Sequence, residues 1–149
     1  MKRTKTLFLL FLAVSFGITG CKKNDDDDNA KAQIVGKWIL TKEVYRTYLK
    51  GVLETDETYD DYDDNDWVIE IKSNGTYIGW DEGEKDEEGT YSLQDNGKTL
   101  ILKPGNETQT YTCTIRQLTS SSLVLYSEKT EGTGDNTWKI TYEETYKKQ

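Results

Sequence analysis

With 149 residues, 34% of them apolar and 31% charged, the chain has material for one domain and one modest core. Ten Tyr and four Trp supply much of the bulk, and the absence of His removes Ser-His and Cys-His pairs, His-ligated zinc and an imidazole base. A net charge of −8 opposes nucleic-acid binding, and aromatic, strand-forming runs broken by Gly, Asn and Asp predict an all-β fold.

Met1-Lys2-Arg3-Thr4-Lys5 is basic, Leu7 to Phe16 is an apolar run too short to span a bilayer, and Thr19-Gly20 brings small residues up to Cys21. That is the layout of a secretory signal. Ile18-Thr19-Gly20-Cys21 also resembles the lipobox of bacterial lipoproteins, which implies cleavage before Cys21 and a diacylglycerol on its sulfur. A lipoprotein's several acyl chains make a stable membrane anchor. Lys22, where inner-membrane retention signals carry Asp, favours outer-membrane placement. Lys23 to Asp28 resembles the acidic export signal of surface lipoproteins, and reads equally as a solvated tether kept extended by self-repulsion. The expected organisation is a signal peptide over 1–20, an acidic tether over 21–33 and a folded domain over 34–149. The first twenty residues hold three basic groups and no acidic ones, so the mature chain has sixteen against twenty-seven and a net charge of −11.

One short helical turn is expected between Asn29 and Val35. Gly36 then lets the entering backbone pass close under the structure, and Trp38 plugs one end of the core. The first strand runs from about Lys37 to Tyr48, with Trp38, Leu40 and Val44 on one face and Ile39, Thr41, Glu43 and Tyr45 on the other. Asn74-Gly75 reads as a two-residue hairpin, a register that sets Ile71 opposite Ile78 and Ile69 opposite Trp80. Asn96-Gly97 likewise sets Leu93 opposite Leu100 and Tyr91 opposite Leu102. A strand from about Glu107 to Leu118 buries Tyr111, Cys113 and Ile115. Ser120-Ser121 turns it into a strand from Leu123 to Glu128, where the opposite parity of Ile115 and Leu118 calls for a bulge. In the last strand Trp138, Ile140 and Tyr142 alternate with Lys139, Thr141 and Glu143.

Eight antiparallel strands in succession predict an up-and-down barrel, which removes exposed sheet edges and leaves an interior for side chains or one small ligand. Tight turns gather at one end. The long first connection, with Asp56, Glu57, Asp60, Asp61, Asp63, Asp64 and Asp66, joins Asp81, Glu82, Glu84, Asp86, Glu87 and Glu88 in ringing the other. Gly36-Lys37-Trp38, Asn74-Gly75-Thr76-Tyr77, Gly89-Thr90-Tyr91-Ser92-Leu93 and the lipobox together resemble the lipocalin-like domain lipoproteins of Gram-negative bacteria, over roughly Ile34 to Tyr146. The resemblance implies a small hydrophobic or amphipathic ligand held in the barrel. Two lipocalin features are missing: a Thr-Asp-Tyr segment before the seventh strand and an arginine late in the last strand to cover Trp38.

The candidate ligand-binding lining is the inward set: Trp38, Leu40, Ile69, Ile71, Ile78 and Trp80, then Tyr91, Leu93, Leu100, Leu102, Tyr111, Cys113 and Ile115, and finally Trp138, Ile140 and Tyr142. The same residues could simply fill the barrel as core, leaving a structural module whose acidic loops meet a protein partner. An acidic rim favours neutral or cationic ligands over fatty-acid anions. Asp61 to Asp66 imitates a calcium loop but lacks the glycine at its sixth place and has Lys72 where a bidentate glutamate belongs, so no metal or cofactor is expected. Without an apolar pocket to raise one pKa, the carboxylates read as surface charge, and no residue is assigned a catalytic role. Cys113 reads as a small buried hydrophobe.

Overall fold

The computed structural model describes residues 25–105 and 109–149, so Cys21 and the signal region lie outside the described residues. The acidic stretch expected to be extended is helical from Asp25, as α1 (Asp25–Ile34). Gly36 follows at φ 144°, and a Cβ there would lie 2.5 Å from the Lys148 side chain. Glycine is therefore required where β1 (Gly36–Leu49) starts. Two residues on, Trp38 is fully buried and its indole Nε1 donates to the Ile34 carbonyl at 2.7 Å. Lys148 lies over the Trp38 ring, with Nζ 4.8 Å from the centroid, and donates to the Gln33 carbonyl at 2.7 Å. A lysine thus covers the tryptophan where the resemblance called for an arginine.

Nine antiparallel strands follow among the described residues, and eight of them close the expected barrel. After β1 come β2 (Val52–Tyr59), β3 (Trp67–Ile71), β4 (Thr76–Asp81), β5 (Glu84–Gln94), β6 (Thr99–Pro104), β7 (Tyr111–Leu118), β8 (Ser122–Glu131) and β9 (Trp138–Lys148). β1 closes the ring by pairing with β9 along one edge. Its other edge is shared: Gly36 to Ile39 pair with β3, and Glu43 to Leu49 pair with β2. β2 is the strand missed in the sequence. It takes Asp56 and Glu57 out of the acidic loop and pairs along the second half of β1, whose other edge stays on β9.

Register explains two further differences. Ser73-Asn74-Gly75 is a three-residue loop: Lys72 N–H donates to the Thr76 carbonyl at 2.9 Å, and the Asn74 side chain accepts from both the N–H and the hydroxyl of Thr76. Only Gly75 has positive φ, so Ile71 meets Tyr77 and Ile69 meets Gly79. The one-residue slip turns Ile78 and Trp80 away from the interior and brings Tyr77, fully buried, into it. On β1, a bulge at Thr41 reverses the parity expected beyond Leu40, placing Glu43, Tyr45 and Thr47 on the inner face and Val44 on the outer. The Asn96-Gly97 register and the bulge near Ile115 are as expected. Asp81 to Glu88 is not a loop: Glu82-Gly83 makes a tight turn, and Glu84 to Glu88 lie in β5.

Candidate functional site

The closed half of the barrel is filled. Trp38, Leu40, Ile69, Ile71, Leu100, Leu102 and Cys113 pack with Ile34, Tyr77, Leu123, Leu125 and Tyr146 in one core, flanked by half-buried Tyr91, Leu93 and Ile115. These predicted lining residues do come together, as packing. Tyr111 and Trp138 lie at the mouth, 40% and 37% exposed, and Ile140 and Tyr142 are half-buried on the inner face of β9.

Above Leu40 and Tyr146 the inner face changes character. Glu43 on β1 stands directly opposite Glu144 on β9, and the next inward pair is Tyr45 and Tyr142, whose rings are 5.3 Å apart at 50°. All four keep partial solvent exposure, so water reaches this rung. Tyr146 donates its hydroxyl to Glu144 Oε2 at 2.9 Å, and the Trp67 indole N–H donates to the Tyr146 oxygen. Glu43 has no hydrogen-bond or ion-pair partner among the described residues. Thr47, next on this face of β1, is 7% exposed, and its Oγ1 has no partner among them either.

Burial sets the chemistry of the rung. It pushes the Glu144 carboxyl above the ordinary range, with the Glu43 charge adding to the rise and the Tyr146 hydrogen bond opposing it. Glu43 is raised by burial too. Burial and the surrounding carboxylates raise Tyr62, which packs against the core from the connection after β2. These two glutamates therefore depart from the expectation that every carboxylate is ordinary surface charge. Cys113, close enough for Glu144 to act on it, is pushed by burial up to about 12 and stays a thiol.

The connection from Asp60 to Asp66 is braced by its own groups. The Asp66 carboxylate accepts from Asp63 N–H at 2.7 Å, and Asp64 pairs with Lys147 at 2.7 Å. A separate groove of about 620 Å³ lies outside the barrel, its lining of Arg46, Tyr48, Lys139 and Thr141 alternating with the inward residues of the same strands. Three of its cations are engaged between strands: Arg46 on β1 pairs with Asp56 on β2 at 2.9 Å, Lys139 on β9 with Glu128 on β8 at 2.8 Å, and Arg116 on β7 with Glu143 on β9 while lying 3.8 Å from the Tyr126 ring centroid.

Glu43, Glu144, Tyr146, Trp67 and Tyr62 were not among the sequence candidates. For β9 the signal was present, since the alternation of Trp138, Ile140 and Tyr142 continues inward to Glu144 and Tyr146. For Glu43 it was hidden by the Thr41 bulge. A family profile described as a lipocalin-like domain matches residues 34–125. Comparison with curated proteins gives no match.

Proposed function

The chain belongs to the lipocalin-like domain family, and from that premise we propose that it is a lipid-anchored, non-catalytic binding module of the outer membrane. In this reading Cys21 carries the anchor, and a small amphipathic molecule enters the mouth between β1, β2 and β9. The supporting observation is the change along the inner face, from sealed core at Trp38, Leu40 and Tyr146 to half-exposed Glu43, Tyr45, Tyr142 and Glu144. Aromatic walls with a few convergent polar groups are what small-ligand sites provide. With the lower half filled, the ligand in this reading sits near the rim. Native mass spectrometry of protein purified from its own host, with displacement of a fluorescent apolar dye, tests this. A bound species and competitive displacement are expected; protein that carries nothing and displaces nothing overturns the reading.

A second reading, a protein-interaction module, draws on β2. Val52, Leu53 and Tyr59 are 62%, 48% and 42% exposed, and β2 pairs only with β1 among the described residues. Exposed apolar side chains beside an unpaired strand edge suit a partner that adds a strand. Crosslinking from a photoreactive residue at position 53 in whole cells separates the two: a single protein adduct favours this second reading, and its absence the first.

A further inference from the structure

Resting on the binding reading above, we infer that the Glu43–Glu144 rung is a recognition site for an organic ammonium ion, whose body lies along Tyr45 and Tyr142 toward Thr47. Four observations converge. Directly opposed inner-face residues on antiparallel strands bring their Cβ atoms to about 5 Å, where two like charges are mutually destabilising. A cation between them removes that conflict and supplies what Glu43 lacks, since no described residue pairs with it. The tilted Tyr45 and Tyr142 rings form the adjoining wall, and aromatic faces beside carboxylates bind quaternary and primary ammonium groups. Thr47 lies four residues beyond Glu43, about 13 Å along the strand. Its buried hydroxyl awaits a partner at the far end of an elongated ligand.

The other groups facing the rung do not supply a competing cation. They are Tyr59 and Glu57 on β2, Tyr62, Asp61 and Asp66 on the following connection, Trp67 on β3, Cys113 on β7 and Tyr146 on β9. Lys129 on β8 lies further out, near Tyr45 and Tyr142, and is engaged with Glu131 at 2.8 Å. Binding a cation favours ionised carboxyls, so it expels protons from the rung and affinity rises as pH increases above about 4.5.

The test uses three probes that share a twelve-carbon tail, each kept below its micelle concentration: dodecyltrimethylammonium, the uncharged dodecyldimethylamine N-oxide and dodecanoate. Calorimetry on the mature protein at pH 7.5 is expected to show the ammonium binding about tenfold or more tighter than the N-oxide, and dodecanoate weakest. Proton release should appear as a dependence of the measured heat on buffer ionisation enthalpy. Glu144→Gln, which keeps an acceptor for Tyr146, should bring the ammonium to N-oxide ratio close to one, and Glu43→Gln should do so independently. Equal affinity for all three probes, or a ratio unchanged in both variants, overturns the cation site while leaving the binding reading intact. If none of the three binds, both fall.

Discussion

Trp38 holds the closed end through three contacts of different kinds: full burial, an indole hydrogen bond to Ile34 and the ammonium of Lys148 over its ring. Trp38→Ala removes all three and leaves a cavity, so urea denaturation should show a loss of about 3–5 kcal/mol. A loss below about 1 kcal/mol would mean the ring is not a plug. Glu144 acts in the opposite sense. Its ordinary pKa is 4.5 and burial raises it in the folded state, so above about pH 4.5 the folded protein binds more protons than the unfolded one. The stability associated with its neutral form is present in acid and is lost as pH climbs through the raised value. Glu144→Gln should therefore melt higher than the parent at pH 8, with the difference shrinking toward pH 4. An unchanged or lower melting temperature at pH 8 would show that the carboxylate stabilises the fold. Cys113 lies beside this rung, 8% exposed and with its thiol pushed up to about 12. In a Cys21→Ala background, native protein at pH 8 should resist a thiol reagent that reacts at once in denaturant; rapid native labelling would show an open path to the interior.

Strand pairing decides what the glycines tolerate. A Cβ on Gly89 would sit 2.2 Å from the Lys103 carbonyl oxygen, inside the β5–β6 ladder, and neither backbone can yield without breaking pairs on both sides. Gly51, in the β1–β2 turn at φ 81°, has nothing within 4 Å, so alanine there meets backbone strain alone. Gly89→Ala should cost about 3 kcal/mol or more and Gly51→Ala about 1 kcal/mol by thermal denaturation; equal costs would show that the β5–β6 approach relaxes freely. The same pairing rules show why the sequence revealed the order of the barrel better than its lining. Asn96 and Gly97 lie at positive φ together with Asp95, and the register the pair suggests is the one that forms. Asn74-Gly75 has the same two letters, but the Asn74 side chain braces a loop one residue longer, and Ile78 and Trp80 exchange faces with Tyr77 and Gly79. β2 was unreadable for a different reason. Val52 to Tyr59 carries three carboxylates, and its strand character comes from hydrogen bonding to β1 rather than from an apolar face of its own.

At the scale of the molecule, strand order gives the barrel a sealed end and an open one. β1 leaves α1 at the closed end, where the Ser73–Gly75 loop, the Asn96-Gly97 turn and Lys148 also gather, while β2 marks the opposite end and Asp64, on the connection after it, reaches back to pair with Lys147. In the proposed reading, a lipid on Cys21 connects to the barrel through α1, which enters it at the sealed end. In the proposed lipoprotein, whose charge after removal of residues 1–20 would be −11, repulsion from anionic membrane surfaces opposes attachment by charge alone. Cys21→Ala, expressed in a Gram-negative host, is accordingly expected to shift the protein from the membrane pellet to the soluble fraction without altering its melting temperature, because the core begins at Ile34. Continued sedimentation with membranes at high salt would mean that something other than Cys21 holds the protein there, and the exposed Val52, Leu53 and Tyr59 of β2 would then be the first surface to mutate.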